Sequence, residues 1–178
     1  MFDSFYRFHK VGVDKAFNKK YLKEIITYSF RSAHHYYLVE IEVYSSDIYI
    51  VKYYLKKHKH NPLKYNILTN EYRSSKVIST CIRIMLQIHS KNPMASFGFL
   101  GANTINRATG YEESKRTTKR FQVYKLAMYA LFGTQTFTHY TDIEHSAYLM
   151  VSNKVKSVDE VKENAKKMFE DIFPELAE

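Results

Sequence analysis

Between Pro62 and Gly133 the hydrophobic pattern switches from strand-like to helix-like twice, and that order limits the folds open to this chain. Residues 64–70 are a short apolar and β-branched run, which predicts a strand. A polar turn over 70–76 follows, where Ser74 or Ser75 can cap the next helix by accepting a backbone N–H. Val77, Ile78, Cys81, Ile82, Ile84, Met85 and Ile88 then recur on one face of a buried amphipathic helix. Asn92-Pro93 ends it, because proline cannot continue the hydrogen-bond ladder. Residues 96–100 read as the next strand and 101–114 as a polar loop. A second helix starts at Thr117 or Thr118 and runs to Phe132, with Phe121, Tyr124, Met128, Leu131 and Phe132 on one side and Gly133 as its stop. Strand, helix, strand, helix requires parallel strands joined by a crossover. Ligands of such sheets favour the crevice at the carboxyl ends of the strands. Residues 70–76 and 101–106 would line it, so Asn70 and Asn103 are candidate ligand contacts.

The segment before this unit predicts antiparallel sheet. A first strand is expected near residues 4–9, with a turn or short helix over 12–20. Residues 21–30 fit helical spacing through Leu22, Ile25, Ile26 and Phe30, but Ile25-Ile-Thr-Tyr28 is β-rich and favours a strand. Residues 36–44 and 48–55 are aromatic and β-branched runs around Ser45-Ser46-Asp47, a hairpin signal. After Gly133, residues 136–141 and 146–151 predict two more strands. Ser157-Val-Asp-Glu160 is a capping box for a last helix, whose stripe is Val158, Val161, Ala165, Met168, Phe169 and Ile172. The fold expected is therefore α+β, of α/β/α type. It has a central mixed, mostly antiparallel sheet with a β-α-β-α crossover unit and a C-terminal helix. Residues 1–153 form the body, and 154–178 the helix packed on the same domain.

Charge narrows the partners. The 178 residues carry a formal net +9. Residues 154–178 hold five Lys and seven Asp or Glu, a net −2, which leaves +11 on residues 1–153. A basic body suits an anionic partner, and it also suits simple solubility. The 16 Tyr and 12 Phe can stack on bases, although both are also ordinary strand residues. One cysteine excludes an intrachain disulfide and argues against a multi-cysteine zinc site. Cys81 lies on the apolar helix face, as a small buried hydrophobe would. His58 and His60 lack a third ligand in sequence, so no metal is expected. No apolar run is long enough for a membrane span and no secretory leader is evident, which predicts a cytoplasmic protein without a membrane partner.

Two places can carry chemistry. Lys115, Arg116, Lys119 and Arg120 gather at the N-terminus of the second helix, an end that is already positive. Glu112 and Glu113 can compensate internally; otherwise the site suits phosphate. Arg73, Ser74, Ser75 and Lys76 repeat the theme at the first helix. Glu40 and Glu42 share one face of their strand, either solvated or placed as a general base near the sheet centre.

The order of elements resembles the GNAT acyltransferase superfamily, and the chain is more closely similar to small uncharacterised bacterial proteins with a GNAT-like core. The matching stretches are Tyr6-Arg-Phe8, Lys23-Glu-Ile-Ile-Thr27, Thr69-Asn70, Ser75-Lys-Val-Ile-Ser-Thr80 and Lys119-Arg-Phe121 with Tyr124, spread over residues 4–151. Arg73-Ser-Ser-Lys76 stands where that superfamily has a glycine-containing pyrophosphate loop. The resemblance implies acetyl-CoA or another acyl-CoA as cofactor, held by Asn70, Arg73, Ser74, Ser75, Lys76 and Asn103. Tyr124 would protonate the leaving thiolate, and Glu40 or Glu42 would accept the amine proton. The rival expectation is a non-catalytic basic protein that binds nucleic acid or an acidic protein, in a regulatory or phage-conflict role. Lys52, Lys56, Lys57 and Lys59 with Lys115, Arg116, Lys119 and Arg120 would carry it. Partners are then a phosphorylated small molecule or an anionic macromolecule, with a homodimer left open.

Overall fold

A computed structural model describes residues 3–174. Strands β1 (Phe8–Lys15), β2 (Leu22–Arg31), β3 (Tyr36–Tyr44) and β4 (Ile48–Leu55) form an antiparallel meander. Helix α1 (Ser74–Lys91) leads to β5 (Ser96–Leu100), which pairs with β4 in parallel. A small hairpin of β6 (Ile105–Asn106) and β7 (Tyr111–Glu112) interrupts the loop before helix α2 (Lys119–Phe132). Strands β8 (Phe137–Asp142) and β9 (Ala147–Ser152) complete the sheet, and helix α3 (Val158–Ile172) follows. The seven-stranded order is β1-β2-β3-β4-β5-β9-β8. The fold is thus α+β with a mixed, mostly antiparallel sheet. No helix among the described residues is long and apolar enough to cross a membrane.

The side-chain period of two divides β4 between two layers. Tyr49, Val51, Tyr53 and Leu55 face α1 and α2, where they join Ile84 and Met85, Phe97 and Phe99, and Phe121 and Met128. Ile48 and Ile50 face the opposite way and pack with Tyr44 against Ala165 and Met168 of α3. Each fully buried side chain of this size contributes on the order of 2 kcal/mol, so packing on the sheet stabilises the helices more than propensity does. Ser157 caps α3 as the capping box predicts, its hydroxyl accepting from Glu160 N at 3.2 Å.

Several sequence expectations need correction. Residues 64–70 are not a strand: only Ile67 makes a lone parallel bridge, to Ile105, and Leu68 is exposed. The strand that enters the crossover is β4, which already fills the pairing position beside β5. The first strand lies at Phe8–Lys15, where β2 supplies its partners. Phe5 and Tyr6, ahead of it, cover α1 instead: the Arg83 guanidinium lies 4.8 Å over the Phe5 ring, Tyr6 N donates to Thr80 Oγ1 at 2.9 Å, and the Tyr6 ring stacks on Phe30. Neither Ser74 nor Ser75 caps α1. Arg73 holds the cap position without a side-chain bond, and both serines sit in the first turn. Leu131 falls in the last turn of α2 and stays exposed.

Candidate functional site

Strands β4 and β5 pair only over Ile48–Ile50 and Ser96–Gly98 and then diverge. This splay is where a parallel sheet offers a ligand crevice. On the side of α1 and α2 it holds Tyr124, which shares a hydrogen bond with Tyr53 and packs 5.1 Å from the Phe99 ring. Burial, with Tyr53 beside it, holds the Tyr124 hydroxyl well above the ordinary tyrosine range. It therefore keeps its proton, as an acid must, but it is only 5% exposed.

The chain itself closes the gap. Asn66 Nδ2 donates to the Asn103 carbonyl and to Asn103 Oδ1, both at 3.0 Å, and Ile105 N donates to Asn66 O at 3.0 Å. Arg120 donates to the carbonyls of Tyr65 and Ile67, and its guanidinium lies 5.6 Å from the centre of the Tyr53 ring. Residues 64–67 thus touch β3, the continuation of β5 and α2 in one pass. Asn103 is buried and bonded at both ends, since its Nδ2 also donates to Glu113 O. Arg120 and Asn103 therefore hold the closure together.

On the α3 side of the splay, Glu40 accepts from the hydroxyls of Tyr54 (2.7 Å) and Tyr65 (2.5 Å) and from Lys64 at 3.4 Å. Burial pushes its carboxyl up, but the two phenols and the ammonium outweigh burial and leave it below the ordinary range. Glu42 pairs with Lys52 at 2.8 Å and accepts from Tyr44 at 2.8 Å. Glu40 thus stays ionised and is a weak base, and Lys52 is taken up in its ion pair with Glu42.

The two helix N-termini differ. At α2, Thr118 accepts from Phe121 N at 3.2 Å and donates to Gly101 O at 2.7 Å. Glu113 accepts from Lys119 N at 2.8 Å and Thr104 N at 2.9 Å, so the protein's own carboxylate sits where an anion would bind. Partial burial raises the Glu113 carboxyl, and these bonds with the Lys119 charge more than reverse it. Arg116 pairs with Glu144 at 3.1 Å. At α1, Asn70 takes positive φ (52°), Arg73 and Ser74 are exposed, and the Lys76 ammonium lies 4.4 Å over the Tyr6 ring.

What remains open is the half of the sheet that α3 leaves uncovered. A groove of about 560 Å³ crosses β1 to β4, lined by His9, Thr27, Tyr36, Lys56 and Lys59 among others, with the carboxylates Asp14 and Glu40 also on its wall. His9 Nε2 lies 3.0 Å from Ser29 Oγ, and the Lys56 ammonium lies 4.8 Å over the Tyr36 ring. Lys57 and Lys59 are exposed and make no ion pair among the described residues. Sequence reading missed His9, Ser29 and Tyr36. Their signal was strand parity, which sums to a surface only once the register between strands is fixed. It missed Asp142 and His145 as well, which pair across the β8–β9 turn at 2.7 Å. Among the described residues no group of three metal-ligating side chains is assembled. Burial pushes the Cys81 thiol up to about 12, so it is inert as a nucleophile. The chain matches no family model, no curated protein and no solved structure.

Proposed function

We propose that this protein is a non-catalytic binding domain for nucleic acid, built on a GNAT-like scaffold whose crevice is closed by its own chain. The observation that carries the reading is the contrast among its cations. Arg116 and Arg120 are engaged by the protein, whereas Lys56, Lys57 and Lys59 are exposed without an ion pair among the described residues, and Lys56 and Lys59 border the open groove. Lysines of this kind neutralise phosphates, the half-exposed Tyr36 ring offers a stacking surface, and Thr27 adds a hydrogen-bonding hydroxyl.

The test is fluorescence anisotropy with a labelled single-stranded oligonucleotide across a salt series. Affinity should fall log-linearly with salt. Lys56→Ala, Lys57→Ala and Lys59→Ala together should lower the slope by about 2, near 0.7 for each phosphate that is no longer neutralised. Equal binding by the triple variant would overturn the reading. Salt-sensitive binding to polyglutamate but not to the oligonucleotide would assign the surface to an acidic protein.

A second reading is acyl-CoA-dependent N-acyl transfer, favoured by the splay with Tyr124 inside it. It requires residues 64–67 to swing out. Arg73, Ser74, Ser75 and Lys76 would then hold phosphate and Tyr124 would protonate the thiolate, while Glu40 and Glu42, on the opposite face of the sheet and held by Tyr54, Tyr65, Lys64, Tyr44 and Lys52, are poorly placed to take the amine proton. Acetyl-CoA at 100 times its Kd would stabilise the fold by about 2.7 kcal/mol, a rise of several degrees in Tm that Arg73→Ala and Lys76→Ala would abolish. No shift removes this reading.

A further inference from the structure

Two cavities beside α3 share one wall residue, Leu100. The first, about 220 Å³, lies between α3 and strands β5, β9 and β8. Its walls include Gly98, Leu100, Leu149, Ala165 and Phe169. The second, about 240 Å³, sits at the carboxyl end of β5 beside Gly101, Lys115, His145 and Phe173. Leu100 borders both. Asp142 borders the first and His145 the second, and the two side chains are in contact at 2.7 Å.

The sequence builds this space for local reasons. Gly98 lacks the Cβ that would press on Ile50 and lie 3.7 Å from Phe169, which leaves the floor of the first cavity deep. Ser146 takes positive φ (52°) and tightens the β8–β9 turn, where Asp142 also accepts His145 N at 3.2 Å. Leu100, Leu149 and Phe169 are only half-buried, so apolar area remains exposed inside a concave site.

The rim is polar and leans positive. Lys162 and Lys166 of α3 border the first cavity and Lys115 the second. Two carboxylates also border the space: Asp142, engaged by His145, and Glu170. Lys115 and Lys166 make no ion pair among the described residues. Because Asp142 sits at Nδ1, the opposite nitrogen, Nε2, is the one left for a ligand.

We propose that these two adjacent cavities bind an aliphatic carboxylate. Its chain lies along Leu100, Leu149 and Phe169 in the first cavity, and its headgroup meets His145 Nε2 and Lys115 in the second. The site is independent of the nucleic-acid surface, which lies on the half of the sheet that α3 leaves open.

Calorimetric titration of the whole chain with octanoate tests this, with octylamine and butyrate as comparators. Octanoate should bind, octylamine should not, and butyrate should bind weakly because it leaves the apolar wall bare. His145→Ala and Lys115→Ala, both accessible side chains, should each weaken octanoate about tenfold, as expected for loss of one charge-assisted bond. Ala147→Phe should block the first cavity. Should it fail to fold, the two headgroup variants carry the test. The Lys56, Lys57 and Lys59 triple variant should bind octanoate unchanged, which separates this site from the nucleic-acid surface. No octanoate binding at millimolar concentration would overturn the proposal. So would equal binding of octylamine, or indifference to both headgroup variants.

Discussion

The N-termini of α1 and α2 carry the same kinds of residue and end in opposite states. Each has hydroxyls and two or more cations within one turn: Arg73, Ser74, Ser75 and Lys76 at α1, and Thr117, Thr118, Lys119 and Arg120 at α2. At α2 a threonine hydroxyl and a carboxylate from six residues upstream take the free amides, and Arg120 reaches back to the carbonyls of Tyr65 and Ile67. At α1 no side chain caps the helix. The lesson is that a basic helix start becomes an anion site only if no internal acceptor reaches it first, and Glu113 reaches α2.

Gly101→Val should break the α2 arrangement with the largest effect. A Cβ at 101 would lie 2.5 Å from Thr118 Oγ1 and 2.7 Å from Phe121 Cβ, so helix and strand must part. A loss of about 3 kcal/mol in chemical denaturation is expected. A loss within about 0.5 kcal/mol of zero would show that the contact relaxes freely, since that is the range of ordinary surface substitutions.

Glu113→Gln should cost less, about 1 kcal/mol at neutral pH, because it removes a charge at a helix N-terminus and weakens two bonds. The sign with pH follows from the depressed carboxyl. Its stabilisation is fully present above the unfolded glutamate value of about 4.3 and disappears as pH falls through the lower folded value. Denaturation curves of the variant and the natural chain should therefore draw together as the pH falls below the unfolded glutamate value and meet once the lowered folded value is passed. A gap that persists there would mean that the charge is not what matters.

Arg73→Asp should sharpen the contrast with the smallest effect, a gain of about 0.5 kcal/mol, by giving α1 the cap it lacks and replacing a cation at a positive helix end. Thr118→Asp at α2, where the hydroxyl already accepts from Phe121 N and donates to Gly101 O, should give no gain. Thermal denaturation of the two variants side by side checks both.

Much of the fold was legible. The β3–β4 hairpin falls on the expected residues, as do β5, the apolar face of α1 and the capping box of α3, because each is set by contacts a few residues apart. Residues 64–70 misled because Ile67 and Leu68 give a local strand pattern, while no neighbouring strand is free to pair with it. The candidate site was legible only as a set of residue types. Glu40 was legible as a carboxylate on a sheet face, but not as the acceptor of Tyr54, Tyr65 and Lys64.

The sequence by itself determined the order of helices and most of the strands, and the basic body, because hydrophobic period, capping residues and charge are written locally. Tertiary structure alone decided which charges remain available. Arg120 lies 55 residues from the carbonyl of Tyr65, and Glu40 lies 25 from the Tyr65 hydroxyl. Whether two such groups meet depends on the register of four strands and the path of one loop. Once they meet, desolvation and charge pairing favour the internal contact over solvent, and the cations left over define the surface for a partner.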